Sequence, residues 1–227
     1  MNILSLDTAG DVLSVALAAE TGVWYTEIDA GTRHSELLME CVDGLCTSAS
    51  LKGRDINLAA CMQGPGSFTG LRIGFATAKG ICLALGIPLV AVPTLDCLAR
   101  HLEQWPGIVL PVLDAKKGCF FSALYRNGER LTACMDAAPE TLAAEIAKYR
   151  LFPGEKVILT GSGAGLVFPL LQKSIPPETL RIDPESRRGR ARELLDFVKS
   201  GKFSTVNDIN SGPIYLRKSD AELNWSQ

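Results

Sequence analysis

Two aspartates close short apolar runs just before tight turns. Asp7 follows Ile3 to Leu6 and precedes Thr8-Ala9-Gly10, and Asp114 follows Ile108 to Leu113 and precedes Ala115-Lys116-Lys117-Gly118. A carboxylate so placed can face a phosphate-bound magnesium ion, and it can equally accept backbone N–H groups of its own turn. A third turn, Gly161-Ser162-Gly163-Ala164-Gly165, lies between an apolar run and a helical stretch, where a nucleotide can approach the backbone. It lacks the G-K-[ST] of a P-loop and the third glycine of G-x-G-x-x-G, so the same glycines also serve simply to turn the chain. Asp7, Thr8, Gly161 and Gly163 are the candidate nucleotide-binding residues. His34 and His101 form no H-x-x-x-H or H-E-x-x-H pair and the seven cysteines include no C-x-x-C, so no metal site is expected.

The elements that position these residues are read from periodicity. The stretch from Gln63 to Gly86 predicts a strand end, a Pro/Gly turn, and a helix of about five turns with Ser67 as N-cap. Gly70, Gly74 and Ala78 fall at i, i+4 and i+8 on that helix, leaving one face without bulk at a cost of about 2 kcal/mol in helix propensity. Something must come close to it, either another element of this chain or a helix of a second chain. Gly31 to Cys46 predicts an amphipathic helix with Ser35 as N-cap and Leu37, Leu38, Cys41, Val42, Leu45 and Cys46 on one stripe.

Before these helices stand a β-hairpin turning at Asp7 to Asp11 and a third strand at Val23 to Glu27; Asp55 to Met62 and Ile87 to Val92 read as further strands. After Trp105-Pro106-Gly107 the pattern restarts: strand, Asp114, turn, a strand at Cys119 to Tyr125, turn, and a strand around Arg130 to Met135. The expected organisation is two lobes, 1–104 and 105–227, related by an ancient duplication, the second reduced and ending in a polar tail. Each is α/β, a mixed sheet flanked by helices. Helices follow at Pro139 to Tyr149 and Leu166 to Lys173, and Ser186 to Arg192 holds four arginines at the entrance to a helix ending near Lys199.

Composition narrows the classes. A net charge of −2 does not favour unaided grip on nucleic acid, although the arginine cluster could meet RNA phosphates or simply be a solvated helix entrance. The scattered, odd-numbered cysteines sit in apolar stretches and read as reduced thiols. The chain opens directly on a strand with no signal-peptide pattern, and Leu71 to Val92 carries Arg72, Lys79 and Pro88, against a membrane span. A cytoplasmic location is the expectation.

Two lobes that each open strand, Asp, turn, strand resemble the actin/hexokinase/Hsp70-like (ASKHA, RNase H-like) architecture. The strings I-L-S-L-D-T, R-H-S-E-L-L, G-P-G-S-F-T-G-L-R-I-G, A-T-A-K-G, L-D-A-K-K-G and P-I-Y-L-R, spread over nearly the whole chain, resemble the TsaB (YeaZ) family. The resemblance implies a non-catalytic subunit that partners TsaD, and TsaE through the TsaD complex, in transferring a threonylcarbamoyl group to the adenosine beside the anticodon of tRNAs reading A-starting codons. It implies tRNA contact only within the assembled complex, a homodimer when TsaD is absent, and no resident cofactor beyond weak or interfacial ATP or ADP. It places the partner face on the two helices named above, with Ser35, Leu38, Val42, Ser67, Gly70, Leu71, Gly74, Phe75 and Ala78 as its residues. The alternative is an independent ATPase or sugar-kinase-like phosphotransferase using Asp7. An older metallo-glycoprotease label for the group finds no metal motif here. The two lysines of the second turn and Ala9, where serine commonly follows D-T, depart from a phosphate-binding pattern.

Overall fold

The computed structural model describes residues 1–201, 205–206 and 212–217. The polar tail expected after Arg217 lies outside the described residues. Two compact units emerge, the first of Met1–Cys97 with Gly189–Ile214, the second of Leu98–Arg188 with the following C-terminal segment.

In the first unit β1 (Ile3–Asp7) pairs antiparallel with β2 (Val12–Ala19), which pairs antiparallel with β3 (Gly22–Asp29). On its other side β1 runs parallel to β4 (Leu58–Gly64), and β4 parallel to β5 (Leu89–Pro93). The second unit repeats this arrangement. There β6 (Ile108–Asp114) pairs antiparallel with β7 (Phe120–Ser122), with β8 (Tyr125–Arg126) and β9 (Glu129–Arg130) as a side hairpin. Strand β10 (Met135–Ala137) pairs antiparallel with β7, while β11 (Val157–Thr160) runs parallel to β6 and β12 (Leu180–Ile182) parallel to β11. The orders β3-β2-β1-β4-β5 and β10-β7-β6-β11-β12 match strand for strand, and β13 (Thr205–Val206) adds to the β5 edge. These are two RNase H-like sheets of the actin-like architecture.

Helices occupy matching places. In the first unit α1 (His34–Ser48) follows the third strand and α2 (Phe68–Leu85) the fourth, and α3 (Thr94–Arg100) follows β5. In the second, α4 (Pro139–Tyr149) and α5 (Ala164–Leu171) take the places of α1 and α2. The predicted N-cap at Ser67 is present, its Oγ accepting the Gly70 N–H at 3.2 Å. Ser35 is not an N-cap: α1 begins one residue earlier, with Arg33 in the capping position and no side-chain cap bond. Asp55 ends a short 3-10 turn rather than starting a strand, and the strand expected at Arg130 to Met135 is divided between β9 and β10.

The boundary at residue 105 does not describe the units. Helix α6 (Ala191–Lys199), which follows the last strand of the second sheet, belongs to the first unit. The reason is alternation along the strands. One face of the first sheet carries Leu4, Leu6, Leu13, Val15 and Leu17 against α1 and α2. The other presents Ile3, Ala16, Ala18, Ala60 and Met62, mostly small, against Ala191, Leu194, Leu195 and Val198 of α6. Each of the two buried leucines of α6 contributes about 2 kcal/mol by leaving water, enough to draw the helix onto this face. Among the described residues α2 alone has the length and apolarity of a membrane span, and it packs as a core helix with Leu71, Phe75, Ala78 and Cys82 buried.

Its glycine face explains itself in this packing. A Cβ on Gly70 would fall on the Thr8 carbonyl oxygen, and one on Gly74 on the Thr8 hydroxyl, which itself donates to the Gly70 carbonyl at 2.7 Å. The bare stripe of α2 is therefore the seat of the first hairpin. Gly70→Ala or Gly74→Ala should destabilise the protein by about 2 kcal/mol despite better helix propensity, lowering Tm by roughly 4–8 °C in a thermal melt. An unchanged melt would contradict this packing.

In the second unit Asp183 is 3% exposed and accepts Thr160 Oγ1–H at 2.6 Å, the Glu185 N–H at 3.0 Å, and lies 2.8 Å from His101 Nε2. Burial pushes this carboxyl up, but the hydrogen bonds from His101, Thr160 and Glu185 outweigh it and hold it down at about 2. A carboxyl depressed in the folded state stabilises the fold above its unfolded value, and that stabilisation disappears as pH falls through about 2. Asp183→Asn should accordingly melt below wild type at pH 7, with the difference closing between about pH 4 and pH 2. A difference independent of pH would show that the charge of Asp183 plays no part.

Candidate functional site

At the first hairpin, Asp7 is 6% exposed and both its oxygens receive backbone groups: Oδ1 the Ala9 N–H at 3.1 Å, Oδ2 the Arg190 N–H at 2.8 Å. The second bond comes from the start of α6. The flanking N–H groups are received in the same way, Gly189 by Glu27 Oε2 at 3.1 Å and Ala191 by Ser14 Oγ at 3.1 Å. Three successive amides at a helix N-terminus are thus capped by β3, β1 and β2 in turn. Ser5 Oγ donates to the Ala191 carbonyl at 2.7 Å, and the Tyr25 hydroxyl lies 3.0 Å from the Gly189 carbonyl oxygen. Burial raises the Asp7 carboxyl above its ordinary value, against the opposing pull of the Arg190 and Ala9 amides and the Arg190 charge. Asp7 and Thr8 therefore act as structural anchors. Neither presents itself to solvent as a phosphate or metal contact.

Arg190 departs from the expectation of a solvated arginine cluster. Its side chain is 2% exposed and Nη1 donates to Glu193 Oε1 at 3.0 Å, whereas Arg187, Arg188 and Arg192 are exposed, Arg192 lying 4.6 Å over the Tyr25 ring. The histidines lie in different units, His34 buried at the start of α1 and His101 against Asp183.

The second hairpin is built differently. Asp114 accepts the Lys116 N–H at 2.7 Å and Lys116 Nζ at 2.9 Å. Burial alone would raise this carboxyl, but the Lys116 bonds and charge lower it. Lys116, Lys117 and Gly118 follow one another at φ 61°, 57° and 76°, left-handed backbone that two lysines adopt only under strain. Gly161 and Gly163 face β6: a Cβ on the first would sit 2.5 Å from the Val112 carbonyl oxygen, on the second 2.9 Å from Val112 Cγ1. These glycines let the turn press on the neighbouring strand, and so they are accounted for within the chain.

The nine residues expected at a partner face divide sharply. Leu38, Val42, Gly70, Leu71, Gly74, Phe75 and Ala78 are buried inside the first unit, and only Ser35 and Ser67 are exposed. Apolar periodicity marks the face a helix turns toward its own sheet, which is why these residues were drawn inward. The outer surface of the same helices is made of other residues. On α1 it carries Glu36, Met39, Glu40 and Asp43, and on α2 Thr69, Arg72, Ala76, Gly80, Leu83 and Ala84. Leu83 is 65% exposed and Met39 45%, and a Cβ on Gly80 would meet nothing within 4 Å. Helix α2 therefore has a second small-residue stripe, Ala76, Gly80 and Ala84 at i, i+4 and i+8, facing solvent. Its spacing was present in the sequence and hidden by the stronger glycine signal two residues earlier.

Residues 27–174 match the family model for TsaD, tRNA N6-adenosine threonylcarbamoyltransferase. The tRNA threonylcarbamoyladenosine biosynthesis protein TsaB of Escherichia coli is 35% identical over 97% of this chain and 96% of its own length. Its Bacillus subtilis counterpart is 26% identical over 99% and 98%. The solved structure of YeaZ from Pseudomonas aeruginosa superposes with a TM-score of 0.76 at 25% identity, covering 95% of this chain and 99% of that one. With that identity sustained from end to end and the fold shared, the chain belongs to the TsaB (YeaZ) family.

Proposed function

We propose that this chain is a non-catalytic subunit in tRNA threonylcarbamoyladenosine biosynthesis, which binds and activates a TsaD partner in the cytoplasm. The observation that carries the non-catalytic reading is Asp7, whose two oxygens each receive a backbone amide and hold α6 on the first sheet. An ATPase or sugar kinase of this architecture would need a carboxylate there to meet the metal-bound phosphate.

The outer surface of α1 and α2 is the docking face. It combines exposed Met39 and Leu83 with a small-residue stripe that lets a partner helix approach closely, and this mixture of apolar anchors in a polar rim suits a protein interface. Glu36, Glu40 and Asp43 make the α1 side acidic, while Arg72 and Lys79 lie on α2. Such a face is complementary to itself across a two-fold axis, so a homodimer competes with TsaD for it when the partner is scarce. TsaE joins through the TsaD complex.

Two substitutions test the reading. Gly80→Leu has room in the free chain and should leave Tm equal or slightly higher, yet abolish co-elution with TsaD on a sizing column; retained co-elution would remove α2 from the interface. Asp7→Asn should lower Tm while the folded fraction still supports threonylcarbamoyl transfer to tRNA in a reconstituted assay containing TsaD and TsaE. A folded Asp7→Asn protein that binds TsaD but fails in transfer would return chemistry to this carboxylate.

A further inference from the structure

In the second unit the loop between α4 and β11 is supported from below by a buried ion pair. Glu155, 3% exposed, receives Arg126 Nε and Nη2 at 3.1 and 2.9 Å, and its other oxygen accepts the Leu151 N–H at 2.8 Å. The Glu155 N–H closes the turn on the Phe152 carbonyl at 3.1 Å. What this rigid base holds outward is apolar: Leu151 is 72% exposed and Phe152 58%.

Cations converge beside the turn. Arg150 bridges it to the 3-10 segment Pro177–Thr179, donating from Nη1 to the Pro153 carbonyl at 3.4 Å and from Nη2 to Thr179 Oγ1 at 2.7 Å. Lys156 Nζ and Arg181 Nη1 both donate to the Glu178 carbonyl, at 2.8 and 3.0 Å. All three are bonded to neutral oxygens, and those bonds do not cancel their charges; the acids beside them are the exposed Glu178 side chain and, acting on Arg150, the buried Glu155 carboxylate that also pairs with Arg126. The neighbouring Lys148 is matched by Glu145 at 3.6 Å. An exposed aromatic side chain on a turn whose backbone is held in place, flanked in the chain by Arg150 and Lys156, is an arrangement suited to unpaired nucleotides, whose bases stack on the ring while their phosphates meet the charges. A duplex hides its base faces, and an acidic peptide segment has no flat surface for Phe152.

We infer that this turn binds a single-stranded stretch of RNA, with Phe152 as the stacking platform and Arg150, Lys156 and Arg181 as phosphate contacts. The inference rests on the reading above, in which the assembly acts on tRNA, and it gives the chain a substrate contact apart from the α1–α2 face.

The test is fluorescence anisotropy of the full chain in complex with TsaD, titrated over a salt series with an unmodified tRNA transcript and with a fully paired RNA duplex of equal length. Phe152→Ala should weaken tRNA binding about ten-fold. Lys156→Gln with Arg181→Gln should reduce the slope of log K against log salt by roughly 0.7 for each phosphate contact removed. Equal affinity and slope in the folded variants would overturn the inference, as would duplex binding as tight as tRNA binding. Variants that keep RNA affinity but lose transfer activity would also overturn it, in favour of a protein contact. Failure of the underlying reading is separate: threonylcarbamoyl transfer that proceeds with the chain omitted would sink that reading, whereas unaffected RNA binding by the variants leaves it intact.

Discussion

The first unit depends on how the N-terminus of α6 is seated. Three consecutive amides, of Gly189, Arg190 and Ala191, are accepted by Glu27, Asp7 and Ser14 from three adjacent strands. A buried amide left without an acceptor costs about 1–3 kcal/mol, so the seat and the helix define each other. The approach is close because the strands are bare there, and a Cβ on Gly189 would fall on the Ser14 side chain. Placing a carboxylate at the end of β1 thus serves the fold. The Asp7 carboxylate is desolvated under a helix, and its raised pKa is the electrostatic sign of that burial.

Helix α2 solves two packing problems with one pattern. Its inner stripe, Gly70, Gly74 and Ala78, admits the Thr8 turn, and its outer stripe, Ala76, Gly80 and Ala84, leaves backbone open to solvent. Roughly 1 kcal/mol of propensity is given up at each glycine. On the inner side the loss is offset by hairpin packing and the Thr8 bond to the Gly70 carbonyl. On the outer side no contact among the described residues offsets it at Gly80, which is the observation behind the docking face proposed above.

The second sheet repeats the topology of the first, yet its turns carry different chemistry. The hairpin after β6 sets two lysines in left-handed backbone where the first hairpin, counted from its aspartate, has Ala9 and Gly10, and the glycines after β11 are fitted against Val112. The second unit keeps its loop before β11 rigid through the Arg126–Glu155 pair. Buried pairs of this kind add little net stability over apolar packing, but they hold a local geometry firmly.

Periodicity and turn chemistry determined much by themselves: the two hairpins, α2 with its Ser67 cap, α4, the presence of β4 and β5, and the restart of the strand-Asp-turn pattern after Gly107 all follow from local patterns of apolar, β-branched and turn residues. The family was equally legible, because strings such as G-P-G-S-F-T-G-L-R-I-G are local. What only the tertiary structure decided was the partner of each pattern. A bare helix stripe is the same in sequence whether Thr8 or another protein lies against it, and an Asp before a turn is the same whether it meets magnesium or the amide of Arg190. The division into units was hidden for the same reason. Alternation along β1 and β2 marks two buried faces, but nothing local says that the second is covered by a helix nearly two hundred residues away. Long-range contacts settled these questions, since burial and hydrogen-bond saturation are properties of what a residue meets.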